Sequence, residues 1–177
     1  MTERFSSTAL GFVCIVGAGP GPLDRMTLRA LNRLRNATVV INTRLDSTEV
    51  LGQIPPQARR VYVGKALGDR VVPQHGFHAL LLAHVRIDSR MVRLKERGGS
   101  YVFGRGGEEV QALLAQGIAF EVVPGVTAAS GCSAAAGIPL THRNLAGSCV
   151  FLPGHFSRDD ATYDWRALAQ PGQTRAL

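Results

Sequence analysis

Lysine, cysteine and aromatic residues are scarce in this chain of 177 residues. Lys65 and Lys95 are its only lysines, and aromatic residues make up 6% of the sequence. The three cysteines, Cys14, Cys132 and Cys149, form no C-x-x-C pair, and the five histidines form no H-E-x-x-H motif. These absences exclude the common zinc motifs. We therefore predict that the protein holds no metal and that Cys14 is a small core residue.

The chain also lacks a run apolar enough to cross a bilayer. The uncharged stretch from Val122 to Thr141 has sufficient length, but it contains Pro124 and Pro139 and consists mostly of small residues. Its hydrophobicity is too low for a membrane helix. An odd number of cysteines and no secretory leader predict a reducing cytoplasm, without contact to a membrane.

Acidic residues are outnumbered. The sequence has 20 Lys+Arg against 13 Asp+Glu, which gives a formal charge of +7, and almost all of the positive charge is arginine. Such a balance favours acidic partners. The arginines are scattered, however, and no helix-turn-helix or aromatic RNA-binding motif accompanies them, so we do not expect nucleic acid to be the partner.

The stretch that is most informative runs from Val13 to Gly21. Apolar residues lead directly into Gly17-Ala-Gly-Pro-Gly21, which predicts a buried parallel strand that opens onto a loop. A dinucleotide fingerprint is excluded because Pro22 stands where the third glycine belongs, and no lysine follows for a phosphate-binding P-loop. The loop therefore either holds a ligand through shape and backbone contacts, or is only a tight strand-to-helix turn.

Four further strands alternate with helical patterns. Such alternation predicts βαβ units and a parallel, doubly wound α/β sheet. The predicted strands are 13–16, 39–41, 60–63, 91–94 and 120–123, and the predicted helices are 26–34, a segment through 77–85, and one opened by 104–107. We expect Asp24, Glu108 and Glu109 to favour the dipoles of the helices that they precede or begin.

The loops after four of these strands are expected to share one edge of the sheet, because parallel strands end on the same side. They are Gly17–Asp24, Asn42–Arg44, Gly64–Lys65 and Gly98–Ser100. This alignment predicts one shared ligand cleft.

The sequence changes character after Pro124-Gly125. Small residues from Thr127 to Gly137 predict a helix, 147–152 a strand, and 164–169 a short helix capped by Asp164. Another strand begins near Pro171. We therefore predict an α/β domain over 1–124 and the start of a second, incomplete α/β domain over 125–177.

Several collinear motifs carry a family resemblance. They are Gly17-Ala-Gly-Pro-Gly, Tyr62-Val-Gly-Lys65, Val72-Pro-Gln74, Val92-Arg-Leu-Lys95, Val102-Phe-Gly-Arg-Gly-Gly-Glu-Glu109, Val123-Pro-Gly-Val-Thr-Ala-Ala-Ser-Gly131 and Gly137-Ile-Pro-Leu-Thr-His-Arg143. Together they closely resemble the uroporphyrinogen-III C-methyltransferases, which are tetrapyrrole methylases. The resemblance covers nearly the whole chain.

The resemblance implies two α/β domains that hold S-adenosylmethionine between them, usually in a homodimer. It implies methyl transfer to uroporphyrinogen III, an octacarboxylate, to give precorrin-2 for sirohaem or cobalamin synthesis. Carried over by position, it assigns cofactor contacts to Pro20, Gly98, Gly99, Val102, Thr127 and Ala128, and proton donation to Lys65. Arg105 and Arg143 suit the substrate carboxylates, because guanidinium pairs bidentately with carboxylate.

The sequence also departs from the family pattern. The second strand usually ends in Tyr-Asp-Arg, whose Asp is the family's proposed proton acceptor, whereas this chain has Asn42-Thr43-Arg44. The second cofactor loop, which is usually Lys-Gly-Gly-Asp-Pro-Phe, is one residue longer here and lacks the Asp and Pro. A degenerate relative that binds a tetrapyrrole or a partner without catalysis therefore stays open as the alternative.

Overall fold

The computed structural model describes residues 11–43, 47–63, 84–85, 89–95, 99–153, 163–169 and 171–176. The chain divides into two compact units, Met1–Thr127 and Ala128–Leu177, and each is described by itself. Lys65, Gly98, Arg44 and most of the helix predicted through 77–85 lie outside the described residues.

The first unit is built on a parallel sheet of five strands, in the order β3-β2-β4-β1-β5. The strands are β1 Phe12–Gly17, β2 Val39–Asn42, β3 Arg59–Tyr62, β4 Arg90–Lys95 and β5 Phe120–Val123. The predicted α/β fold and the position of every predicted strand of this sheet are confirmed.

Both faces of the sheet are covered, as a doubly wound fold requires. Side chains alternate along each strand, so Cys14 and Val16 join one apolar cluster while Val13 and Ile15 join the other. Cys14 is buried as predicted, and burial, helped by the nearby Glu121 carboxylate, raises the pKa of its thiol to about 12. Its thiol is therefore an inert part of the core.

The described helices are α1 Leu28–Arg35, α2 Thr48–Leu51, α3 Gly106–Ala115, α4 Ala128–Ala136 and α5 Trp165–Leu168. α1 packs with the Cys14 cluster through Ala30 and Leu34, whereas α3 packs with the Val13 cluster through Leu113. Within the described ranges, no helix is long and apolar enough to cross a membrane. The four-residue helix α2 was not foreseen from the sequence.

The start of α1 differs from the prediction. Asp24 does not begin the helix but lies in a separate 3-10 turn, Leu23–Arg25. The helix starts after Thr27, whose side-chain oxygen accepts a hydrogen bond from the Ala30 N–H at 3.2 Å. This cap supersedes the predicted role of Asp24 at the helix dipole. Leu28, the first residue of the helix, is 80% exposed.

The second unit holds two parallel strands, β6 Ser148–Phe151 and β7 Gln173–Ala176, with α4 and α5. Asp164 caps α5 as predicted, because its carboxylate accepts a hydrogen bond from the Ala167 N–H at 3.0 Å. The predicted elements of this segment are therefore confirmed, and their α/β character with them.

Candidate functional site

The carboxyl ends of the parallel strands form one edge of the first unit. At that edge the Ala18 N–H donates to the Lys95 carbonyl at 2.9 Å, which extends the pairing of β1 and β4 beyond their last regular partners, Gly17 and Lys95. The loops after these two neighbouring strands therefore leave the sheet side by side. Ligands of open α/β folds bind at this kind of edge.

The first loop turns sharply after β1. Gly19 has φ +81°, and a Cβ there would lie 2.8 Å from the Arg25 carbonyl oxygen, so only glycine fits this turn without displacing the backbone. Pro20 follows and is half-buried. The loop is joined to α2, because the Leu23 N–H donates to the Glu49 carboxylate at 3.3 Å. A cavity of about 370 Å³ lies beside it, lined by Gly21, Pro22 and the start of α2.

A small cluster combines residues that follow two different strands. Gly99 and Val102 come after β4 in the chain, and Thr127 comes after β5. A Cβ built on Gly99 would lie 3.3 Å from the Val102 Cβ and 3.4 Å from the Thr127 Cγ2. Three of the residues to which the resemblance assigns cofactor contacts thus share one small cluster, although 28 positions separate the first from the last. The absence of a side chain at Gly99 keeps the backbone of this loop close to both neighbours.

The loop from Gly99 to Gly106 is closed by its own backbone. The Gly106 N–H donates to the Ser100 carbonyl at 3.0 Å. A Cβ on Gly106 would lie 2.2 Å from that carbonyl oxygen, and one on Gly104 would lie 2.9 Å from the Gly99 oxygen. Both glycines are therefore required by close approach of the backbone to itself.

Ser100 belongs to the predicted Gly98–Ser100 loop, but neither the sequence pattern nor the family resemblance assigns it a contact of its own. Its side chain is buried, and its Oγ has no hydrogen-bond partner among the described residues. Most buried hydroxyls in proteins are hydrogen-bonded. An orphaned hydroxyl next to Gly99 is therefore a group that a bound molecule could satisfy.

The outer part of the same loop is apolar and conformationally unusual. Tyr101 and Phe103 are each 59% exposed, and Val102 is 39% exposed. Phe103 and Arg105 both have φ +54°, in the left-handed region that non-glycine residues seldom adopt. Such conformations persist where the surrounding structure fixes them, and they cluster at ligand-binding sites.

A charged cluster is buried beneath this loop. Glu109, in the first turn of α3, accepts hydrogen bonds at the same Oε1 atom from Lys95 Nζ at 2.7 Å and from Arg93 Nε at 3.4 Å. The side chains of Lys95 and Arg93 are 7% and 5% exposed, and that of Glu109 is 2% exposed. Glu109 lies in the first turn of the helix, as predicted, and its side chain is buried in the core.

The environment of Lys95 lowers the pKa of its ammonium group. Burial is the main cause, and the positive charge of Arg93 adds to it, while the Glu109 carboxylate opposes both. Burial removes the water that would otherwise stabilise the charged form. The sequence did signal this cluster: Arg93 and Lys95 interrupt an apolar strand, and Lys95 is one of only two lysines.

The remaining predicted site residues are distributed as follows. Arg105 lies directly before α3 and is exposed, whereas Ala128 and Arg143 lie in the second unit. Thr43 follows β2, and the Asn42 side-chain amide donates to its carbonyl at 2.8 Å. No described group of three or more His, Cys, Asp or Glu residues is arranged to hold a metal ion. The roles assigned to these residues stay predictions.

The profile of the tetrapyrrole (corrin/porphyrin) methylase family matches residues 13–176, which includes every described strand except the first residue of β1. The chain belongs to the tetrapyrrole methylase family. Two similar proteins are the siroheme synthases of Gluconacetobacter diazotrophicus, 49% identical over 169 residues, and Methylococcus capsulatus, 50% identical over 174 residues.

Solved structures agree with this membership. The uroporphyrin-III C-methyltransferase of Thermus thermophilus superposes with a TM-score of 0.69 at 45% identity, over 80% of this chain and 59% of that one. A structure of the Thermus thermophilus enzyme complexed with S-adenyl homocysteine gives 0.65 at 46% identity. The matched regions include 94% and 97% of this chain. They span only 36% of the length of each of the two siroheme synthases.

The requirement for glycine at position 106 can be tested by comparing alanine substitutions at Gly106 and at its neighbour Gly107. Gly106→Ala places a methyl group against the Ser100 carbonyl, and we expect the free energy of unfolding to fall by about 1–3 kcal/mol. Gly107→Ala meets nothing within 4 Å, and alanine favours a helix, so stability should be unchanged or slightly higher. Urea unfolding of both variants makes the comparison, and equal effects would contradict the backbone contact.

The burial of Lys95 predicts a dependence of stability on pH. The unfolded chain keeps this proton up to a pKa near the ordinary 10.5, whereas the folded chain releases it at lower pH. Between the two values the unfolded state binds more protons, so the free energy of unfolding rises as the pH increases. Lys95→Met should remove this contribution. Urea unfolding over the alkaline range measures it, and identical slopes in both proteins would refute it.

Proposed function

We propose that this chain binds S-adenosylmethionine at the carboxyl edge of its sheet and transfers methyl groups to uroporphyrinogen III, which gives precorrin-2 on the route to sirohaem or cobalamin. The observation that carries the proposal is the cluster of Gly99, Val102 and Thr127. It is supported by the siroheme synthases that this chain resembles and by the likeness to uroporphyrin-III C-methyltransferase.

The residues of the second loop fit a bound methyl donor. Gly99 brings the loop backbone close to Val102 and Thr127, and Val102 offers an apolar contact. The Ser100 hydroxyl supplies a buried polar group that lacks a protein partner among the described residues. Pro20 contributes a further contact to the donor from the first loop, which follows β1, the strand next to β4. We propose that Gly98 and Ala128 complete the contacts.

The chain's own contribution to the reaction is positioning. The sulfonium of S-adenosylmethionine supplies an electrophilic methyl group, and the residues around it must hold that methyl in line with a pyrrole carbon. We assign Lys65 the role of proton donor. Arg105 and Arg143 pair with carboxylates of the tetrapyrrole, since guanidinium binds carboxylate bidentately. The proposal further comprises a homodimer in the cytoplasm, without metal, nucleic acid or membrane.

A second candidate function is favoured by Thr43. A threonine hydroxyl is not a base near neutral pH, yet it stands at the end of β2 where the resemblance places a proton-accepting aspartate. A protein that binds tetrapyrrole without transferring methyl groups would tolerate this replacement. The two candidates differ in turnover and not in fold.

Cofactor binding is tested by calorimetry with S-adenosylhomocysteine. We expect the wild-type protein to bind it and Gly99→Ala to bind about tenfold or more weakly, because the new methyl group displaces Val102 or Thr127 and misplaces the loop. Gly107→Ala, which adds a methyl group where no atom lies within 4 Å, is the matched control. Absence of binding by the wild-type protein would refute the proposal.

Methyl transfer is tested anaerobically with uroporphyrinogen III and donor labelled in its methyl group. We expect Thr43→Asp to raise the rate about a hundredfold, because it supplies the missing base. Thr43→Asn, of the same size but without a base, should stay at the wild-type rate, and Lys65→Ala should lower it. If neither wild-type nor Thr43→Asp protein forms product while both bind tetrapyrrole, the non-catalytic candidate is correct.

A further inference from the structure

Arg93, Lys95 and Glu109 form a buried cluster to which nothing in the proposed chemistry assigns a role. Arg93 and Lys95 alternate along β4 and face the α3 side of the sheet together with Met91, which belongs to the apolar cluster there. The register places Arg93 between Ile15 and Ile41. The two strand neighbours of Arg93 are thus apolar.

Glu109 is the shared acceptor of this cluster. Its Oε1 accepts hydrogen bonds from both the Lys95 ammonium and the Arg93 guanidinium. Arg93 also donates a hydrogen bond to the Leu94 carbonyl at 2.7 Å. Its Oε2 is buried and has no hydrogen-bond partner among the described residues. One carboxylate oxygen therefore holds both cations, and the other oxygen accepts no hydrogen bond from the described residues.

Stability alone does not account for such an arrangement. Removing charged groups from water is unfavourable, and the mutual attraction of the groups seldom exceeds that cost. Replacing a buried ionic triad by apolar residues of similar volume is often neutral or stabilising. A fold that needed only a packed core at this point would be served at least as well by apolar side chains.

The position of the cluster along the chain indicates what it does. Lys95 is the last residue of β4, and Glu109 is in the first turn of α3, so the bond between them joins the two ends of the loop that carries Gly99 and Val102. The Ala18 N–H holds the Lys95 carbonyl from the β1 side. The hydrogen bond from Gly106 to the Ser100 carbonyl closes the same loop from within.

We propose that Arg93, Lys95 and Glu109 are positioning residues, which hold the Gly99–Gly106 loop in the conformation that binds the methyl donor. The inference rests on the proposed function for the identity of the ligand. Its structural part, that the cluster keeps the loop ordered, can be measured without any ligand. The cluster itself need not touch the donor.

The decisive variant replaces all three charges, as Arg93→Met/Lys95→Met/Glu109→Met. Because it leaves no unpaired buried charge, it should unfold at a temperature equal to or above that of the wild-type protein. Hydrogen exchange of the Gly106 amide should nevertheless become about tenfold faster or more, since the loop loses the bond between its ends. S-adenosylhomocysteine should bind about tenfold or more weakly in calorimetry.

Two further proteins complete the experiment. Glu109→Gln keeps the shape of the side chain but removes its charge, and it should weaken binding whether or not it lowers stability. Glu108→Gln, on the exposed neighbour in the same turn, is the matched control and should bind and exchange as the wild-type protein does.

The outcomes separate the two proposals. If the triple variant shows wild-type exchange at Gly106, the positioning role is overturned, whatever the ligand. If exchange increases but affinity for S-adenosylhomocysteine equals that of the wild-type protein, the role in donor binding is overturned. If the wild-type protein itself does not bind the ligand, the proposed function fails, and the exchange measurement still decides whether the cluster orders the loop.

Discussion

The parallel pairing of β1 between β4 and β5 is the constraint on which the first unit depends. It requires connections that cross the faces of the sheet, and these bring α1 and α3 to opposite sides, each over its own apolar cluster. It also sends the loops after β1 and β4 out of the same edge. The candidate site is a consequence of this topology, because its parts come from segments that are distant in sequence.

Within that frame, the second loop is determined by close backbone approach more than by side chains. Gly99, Gly104 and Gly106 each stand where a Cβ would meet neighbouring atoms at 3.3 Å or less. The strained backbone of Phe103 and Arg105 lies between these points. A loop held this tightly can keep its backbone in one conformation before a ligand arrives, which reduces the entropy lost on binding.

Much of the fold could be predicted from the sequence because every strand of the sheet contains apolar, mostly β-branched residues, and β1 and β5 lead directly into turns that contain glycine and proline. The same reasoning misplaced the start of α1, since Asp24 and Thr27 are both good helix-start residues and only the hydrogen bond to Ala30 distinguishes them. The contact of Gly99 with Thr127 could not be derived from periodicity, because it depends on how β4 and β5 lie across β1. The role of the Ser100 hydroxyl could not be singled out within the predicted Gly98–Ser100 loop for a related reason: burial of a loop hydroxyl has no local sequence pattern.

Glu109 shows most clearly why a charge pattern does not settle a side chain's role. An acid in the first turn of a helix interacts favourably with the dipole whether it points to solvent or to the core. Glu108 and Glu109 are adjacent and chemically alike, yet the first is exposed and the second is buried against Lys95. What separates them is the pair of cations on β4, which the alternation of that strand turns toward α3. A buried acid was therefore encoded in the spacing of Arg93 and Lys95 as much as in Glu109 itself.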